Sequence, residues 1–148
     1  DPSFEGKYHS FSGMKFTPKP VQKPHIPLII GGTSRAAIRR AARHGTTWHP
    51  TALAPDVLAE GVKYLHEQAE KAGRDPSEIS VSVSAAMGNT HNHNRYSLGE
   101  NPEEVLERSQ AYKEMGVERL LVSPNTRDQS KLEPTMEMLA EVVIPAVS

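Results

Sequence analysis

The sequence predicts an α/β fold with a parallel sheet, and three observations carry the prediction. Short apolar runs alternate with amphipathic helical stripes four times between Leu28 and Ser148, the order that parallel strands with helical crossovers require. Glycine or proline punctuates the predicted helix ends, at Gly45, Pro55, Gly73, Pro102 and Gly116. The length, 148 residues, is that of one domain.

The lead, residues 1–27, carries five of the twelve prolines and little periodicity. Tyr8–Phe11 is expected to pair with Met14–Phe16 across Ser12-Gly13 in a small aromatic hairpin. Pro18-Lys19-Pro20-Val21-Gln22-Lys23-Pro24 reads as extended linker, since each proline fixes its own φ and biases its predecessor away from helix. Leu28-Ile29-Ile30 then forms a short buried strand ending in Gly31-Gly32. Thr33 or Ser34 caps a helix whose apolar side is Ala37, Ile38, Ala41 and Ala42, with Arg35, Arg39, Arg40 and Arg43 largely opposite. Gly45 ends it, and Thr46-Thr47-Trp48 is the next β-prone segment. Pro55 opens a second helix, where its missing N–H costs nothing. Leu58, Val62, Leu65, Ala69 and Ala72 make one helical stripe there.

Asp75-Pro76-Ser77 is a turn. From Ile79 to Met87 apolar residues alternate with Ser80, Ser82 and Ser84, a strand with one small polar face. Asn101-Pro102-Glu103-Glu104 begins a third helix, with a capping Asn, Pro at the first position and Glu three residues after the cap. Val105, Leu106, Ser109 and Tyr112 line it. Arg119–Ser123 is the fourth strand. A last helix runs from about Pro134 to Pro145 with Met136, Leu139 and Val143 inward. Four such units equal half of a (β/α)8 barrel. A whole barrel takes ~250 residues and half about 125, close to the span 28–148.

Composition narrows the function classes. Seventeen Lys and Arg against eighteen Asp and Glu leave a net charge of −1, no electrostatic case for a nucleic-acid or membrane-surface partner. No apolar run approaches the ~20 residues that span a bilayer. Cysteine is absent, which excludes disulfides, thiol nucleophiles and cysteine-ligated metals. Its absence fits a reducing compartment, so a cytoplasmic protein is expected. The chain begins at Asp1 with neither an initiator Met nor a signal-peptide layout, and reads as a piece of a longer protein.

The most specific chemical signal is strand, paired glycines, hydroxyl residues, helix, at Ile29-Ile30-Gly31-Gly32-Thr33-Ser34-Arg35. Gly31 and Gly32 let backbone approach a ligand closely. Thr33 and Ser34 add hydroxyls beside the free N–H groups of a helix start, which suits a phosphate. The same residues also suit an ordinary tight turn and cap, and spacing leaves both open. No Gly-Lys-Ser/Thr follows, and the third glycine of a dinucleotide fingerprint is missing. His49, at a predicted strand end, suits donation to a phosphate, proton transfer, or a hydrogen-bonded place in the turn before Pro50. Trp48 suits packing or a stacking platform. Arg127 suits an anionic tail or plain surface. His91 and His93, two apart, invite a metal, but no carboxylate or third histidine is near in sequence, so none is assigned.

The proline stretch, Ile26–Gly32, Ser34–Ala42, Trp48-His49-Pro50 and Ala72-Gly73-Arg74-Asp75-Pro76 together closely resemble the bacterial luciferase-like flavin-dependent oxidoreductases. Tyr8 and Phe11 match the aromatic hairpin before the proline stretch. The resemblance covers nearly the whole chain but only the carboxy-terminal half of the family. It implies a TIM barrel that binds coenzyme F420 or FMN and carries out oxidoreductase or monooxygenase chemistry on a small organic substrate. It implies that Gly31, Gly32, Thr33 and Ser34 touch the cofactor phosphate and that Trp48, His49, Pro50 and Thr51 share the rim. The isoalloxazine platform and much of the substrate pocket come from the family's amino-terminal half. Catalytic residues are therefore not assigned here, and the span alone is expected to be inactive. A homo-oligomer is the expected assembly. A departure lies at Gly45-Thr46-Thr47-Trp48, where many relatives carry Gly-Asp-Gly-Trp.

Two other classes stand beside this. One is a self-contained α/β module binding a phosphate ligand at Gly31–Ser34, which would order its sheet with the first strand inside. A half barrel instead leaves its first and last strands as open edges. The other is a metal-binding or interaction protein using the His91–His93 loop.

Overall fold

The computed structural model describes residues 2–88, 95–124 and 126–147. The lead forms an antiparallel hairpin of β1 (Phe4–Glu5) and β2 (Ser10–Phe11). Its pairing differs from the expected one. Phe4 lies opposite Phe11 and Glu5 opposite Ser10, so Tyr8–Phe11 turns back on the residues before it, not on Met14–Phe16. Gly6 N–H closes the turn by donating to His9 O at 3.0 Å, and the Phe4 and Phe11 rings meet at 6.0 Å. The aromatic partner upstream outcompetes Ser12-Gly13 as the turn.

The main sheet holds β3 (Ile29–Gly31), β4 (Thr47–His49), β5 (Ser80–Ala86) and β6 (Arg119–Ser123). They lie in the order β3-β4-β5-β6, and every pairing is parallel. The first strand is therefore an edge and so is the last. This is the order of consecutive barrel strands, not that of a module with its first strand inside.

Each strand feeds a helix: α1 (Arg35–His44), α2 (Pro55–Lys71), α3 (Pro102–Glu114) and α4 (Gln129–Met138). The first three follow the expected signals. Ser34 Oγ accepts from Ala37 N–H at 3.2 Å, Pro55 stands in the first turn of α2, and Asn101 Oδ1 accepts from Glu104 N–H at 3.0 Å. The fourth starts earlier than expected. Asp128 caps it, accepting from Ser130 N–H, and Pro134 lies inside the helix. Beyond Met138 the chain makes a π-turn, Leu139–Val143, and ends in α5 (Ile144–Val147). That wider turn shifts the later residues out of phase with α4, so the two do not share a face: Val143 is buried, and Met136, expected inward, is 58% exposed. Ala72, expected on the α2 stripe, falls just past the helix as its cap.

The helices cover one face of the sheet. Trp48, Leu58, Leu65, Val83, Leu98, Val105 and Tyr112 are fully buried between strands and helices. The opposite face is open, with Ile29 at 55% and Leu121 at 45% exposure. The substituted Gly45-Thr46-Thr47-Trp48 segment has its own stitching. Thr46 Oγ1 accepts from Leu28 N–H and donates to Leu28 O, and Thr47 Oγ1 meets Ser80 Oγ at 2.9 Å. Arg74 reaches across to the end of α1, donating to Ala42 O at 3.0 Å and Gly45 O at 2.8 Å. It satisfies carbonyls that a helix end leaves unpaired.

Candidate functional site

Sites in such folds lie at the carboxyl ends of the strands. Here β3 ends in Gly31 and β4 in His49, and the two residues are direct neighbours in the ladder. Gly32 N–H donates to His49 O at 3.4 Å. The structure thus brings Gly31, Gly32 and His49 together, with Thr33 and Ser34 exposed beside them at the start of α1.

Gly32 has φ +113°, a backbone state that favours glycine. A Cβ built there would also stand 3.0 Å from Ala37 Cβ. Gly31 is different. It has no positive φ, and a Cβ there would meet nothing nearer than His49 O at 3.8 Å. Its missing side chain leaves open space on the inner face. Ser34 acts as the α1 cap, the plainer of its two expected roles, yet its hydroxyl hydrogen is not used by that bond and can still donate.

Trp48 is core, fully buried, and not a stacking platform. Its indole N–H donates to Gly32 O at 2.9 Å, holding the loop after β3 by its carbonyl. Gly61 on α2 makes room for it, since a Cβ there would collide with the indole ring.

His49 is half-buried and leans toward β5. Nδ1 lies 2.7 Å from Ser82 Oγ and Nε2 lies 2.8 Å from Ser84 Oγ. Both ring nitrogens are engaged, on the strand and not in a turn. Ser82 and Ser84 were legible only as a small polar face. What singles them out is that this face meets a histidine one strand away, information a single strand does not hold.

Beyond β4 the chain bends through Ala52, with φ +53°, and Ala52 N–H donates to Ser84 O at 2.7 Å. A cleft of about 490 Å³ opens there, lined by Leu53, Val57, Tyr96, Ser97 and Arg108 among others. Arg108 donates to Ser97 O at 2.8 Å and lies over the Tyr96 ring. Tyr112 donates to Leu53 O at 2.6 Å beneath it, and burial pushes its hydroxyl well above the usual phenol range.

Arg127 is exposed on the segment before α4. His91 and His93 lie outside the described residues. Among the described residues no cluster of three or more His, Asp or Glu could hold a metal, and no helix is long and apolar enough to cross a membrane. Of the basic α1 face, Arg39 donates to Tyr64 Oη at 3.1 Å and Arg35 lies over the Tyr64 ring. These contacts hold the Tyr64 hydroxyl below its usual range.

Residues 1–95 match a family model described as luciferase-like monooxygenase. An uncharacterized protein of Mycobacterium tuberculosis is 40% identical over 82 residues, covering 53% of this chain and 26% of that protein. Among solved structures, an F420-dependent secondary alcohol dehydrogenase in complex with an F420–acetone adduct superposes with a TM-score of 0.81. The identity is 18%, over 99% of this chain and 56% of that one. A coenzyme F420 dependent tetrahydromethanopterin reductase from Methanopyrus kandleri gives a TM-score of 0.77 at 17% identity, over 99% of this chain and 58% of that one. At such identities the likeness establishes the fold. The chain spans about a quarter of the curated relative and little more than half of each solved neighbour.

Proposed function

Since the chain belongs to the luciferase-like monooxygenase family, we propose that it is the carboxy-terminal, phosphate-holding half of a (β/α)8 oxidoreductase using coenzyme F420 or FMN. The substrate is a small organic molecule bound at the same strand ends. Coenzyme F420 is the preferred of the two, because two solved neighbours of high fold similarity are F420-dependent enzymes.

The observation that carries this reading is the open inner face at Gly31. A side chain would fill that space, and its absence leaves room for a bulky group beside Gly32, Thr33 and Ser34. The N–H groups at the start of α1 and the Thr33 and Ser34 hydroxyls are suited to a phosphate. Trp48 fixes the loop by its bond to Gly32 O. The flavin, when bound, supplies hydride or oxygen chemistry, while the protein supplies position and electrostatics.

Two measurements on the full-length protein test this. The ultraviolet–visible spectrum with each cofactor added identifies which one binds. Gly31→Val then reads the site with little cost to the fold, because valine suits a strand at ordinary φ. We expect cofactor affinity to fall by tenfold or more with little change in melting temperature. Unchanged affinity for both cofactors removes the assignment of Gly31–Ser34. Gly32→Val is the poorer probe, since its φ and Ala37 make it unfold the loop as well.

A further inference from the structure

The inner face of this sheet is unusual for a barrel interior, which is commonly filled by branched aliphatic side chains. Here β4 and β5 present Thr47, His49, Ser80, Ser82 and Ser84. Thr47 pairs with Ser80, and His49 is held between Ser82 and Ser84. A hydroxyl both donates and accepts. It can accept an N–H from either ring nitrogen, or donate to the one that lacks a proton. A carbonyl partner would force an N–H, and a carboxylate would favour the charged ring outright. Two hydroxyls do neither. His49 can therefore be either neutral tautomer, or the imidazolium, with no movement of a heavy atom.

We propose that His49, held by Ser82 and Ser84, takes up a proton when the anionic cofactor binds beside Gly31. The inference rests on the cofactor reading above and adds a charge change to it. In the free protein one ring nitrogen donates to one serine and the other accepts from the second. When the phosphate-bearing cofactor arrives, a proton from solvent adds to the accepting nitrogen. The serine that was donating to it turns its hydroxyl hydrogen away and accepts instead. The net change is one proton bound and one positive charge gained, and nothing else is consumed. Gly31, the direct neighbour of His49 in the ladder, adds no side chain between the ring and the proposed cofactor position.

The other groups on this face bear on the charge. Beta-3 presents Ile29 and Gly31, and β4 and β5 add only hydroxyls around His49. On β6, Arg119 stands opposite Ser82 in the register, and it is the one charged residue among the described strand positions of the face. An anion arriving beside the ring favours its charged form, which makes the uptake conditional on binding.

Calorimetric titration of full-length protein with coenzyme F420 and with FMN, at pH 7.5 in buffers of different ionisation enthalpy, measures the proton count. Wild type should take up a measurable fraction of a proton on cofactor binding. His49→Gln should lose that uptake. Ser84→Ala should at least halve it, because an imidazolium N–H is left without its acceptor, and Ser84→Thr should restore it. Nitrogen-15 spectra of His49 in the wild type give a reading that no variant's folding affects: both ring nitrogens should move to imidazolium values on cofactor addition. Binding with equal proton uptake in wild type and His49→Gln overturns the inference and leaves the cofactor reading intact. Failure of both cofactors to bind overturns both.

Discussion

Trp48 and Gly61 show how single residues set the geometry of the strand ends. The indole fills the space that a glycine in mid-helix leaves, and its N–H holds the Gly32 carbonyl. In an exposed helix Gly→Ala is stabilising by about 1 kcal/mol. Gly61→Ala should instead destabilise by roughly 1–3 kcal/mol, because it overpacks the indole. Chemical denaturation of the variant checks the sign, and a gain in stability would contradict the contact. Tyr112 gives a pH prediction. Burial holds its folded hydroxyl above the ordinary phenol value of about 10, so the unfolded chain loses its proton first as pH rises. Its contribution is complete below about pH 10 and is lost above it. Tyr112→Phe should remove that part of the alkaline decline, at a cost of about 1 kcal/mol at neutral pH from the lost bond to Leu53 O. Melting curves from pH 8 to 11 separate the two effects. At this scale the sequence named Gly31, Gly32, Thr33, Ser34 and His49, and the structure places them at neighbouring strand ends. It could not name Ser82, Ser84 or Gly61, whose roles depend on partners 33, 35 and 13 residues distant from His49 or Trp48.

Helix boundaries followed local chemistry where one signal stood alone. Asn101, Pro102 and Glu104 make α3 begin where they say, and Glu104 Oε2 also accepts from Glu100 N–H. Asn101→Ala should cost about 1 kcal/mol, a drop of roughly 2–4 °C in melting temperature for a domain of this size. No drop would mean that α3 is held by packing of Val105, Ser109 and Tyr112 alone. Signals that compete are harder to read. Asp128 and Pro134 both resemble helix starts, and the earlier one wins because its carboxylate finds the Ser130 N–H. The hairpin is the same case, with two candidate turns and the partner for Phe11 deciding. The π-turn at Leu139–Val143 has no sequence signature here and puts Val143 out of phase with Met136, so that only Val143 is buried. The family motif at Arg74-Asp75-Pro76 proves to be structural, with Arg74 closing the end of α1 and Asp75 capping the 3-10 turn after it.

For the molecule as a whole, the open face and the two open edges are the governing features. Ile29 and Leu121 face outward on a surface that parallel sheets normally bury. Produced alone, residues 1–148 should self-associate as concentration rises, because β3 and β6 present unpaired edges. Light scattering tests this, and a strictly monomeric chain would argue that the sheet needs no second half. Leu121→Lys should reduce that association in the isolated span and destabilise the full-length protein, where the same face is expected inside a barrel. The sequence alone determined the class of fold, the four βα units, most helix starts and the family, because these follow from periodicity, capping and local motifs. Tertiary structure alone decided the strand order, the pairing of the hairpin, the cradle of Ser82 and Ser84 around His49 and the fit of Trp48 over Gly61. Each of those is a contact between segments remote in the chain, and which remote segments meet is settled by burying apolar surface while pairing most of the buried polar groups.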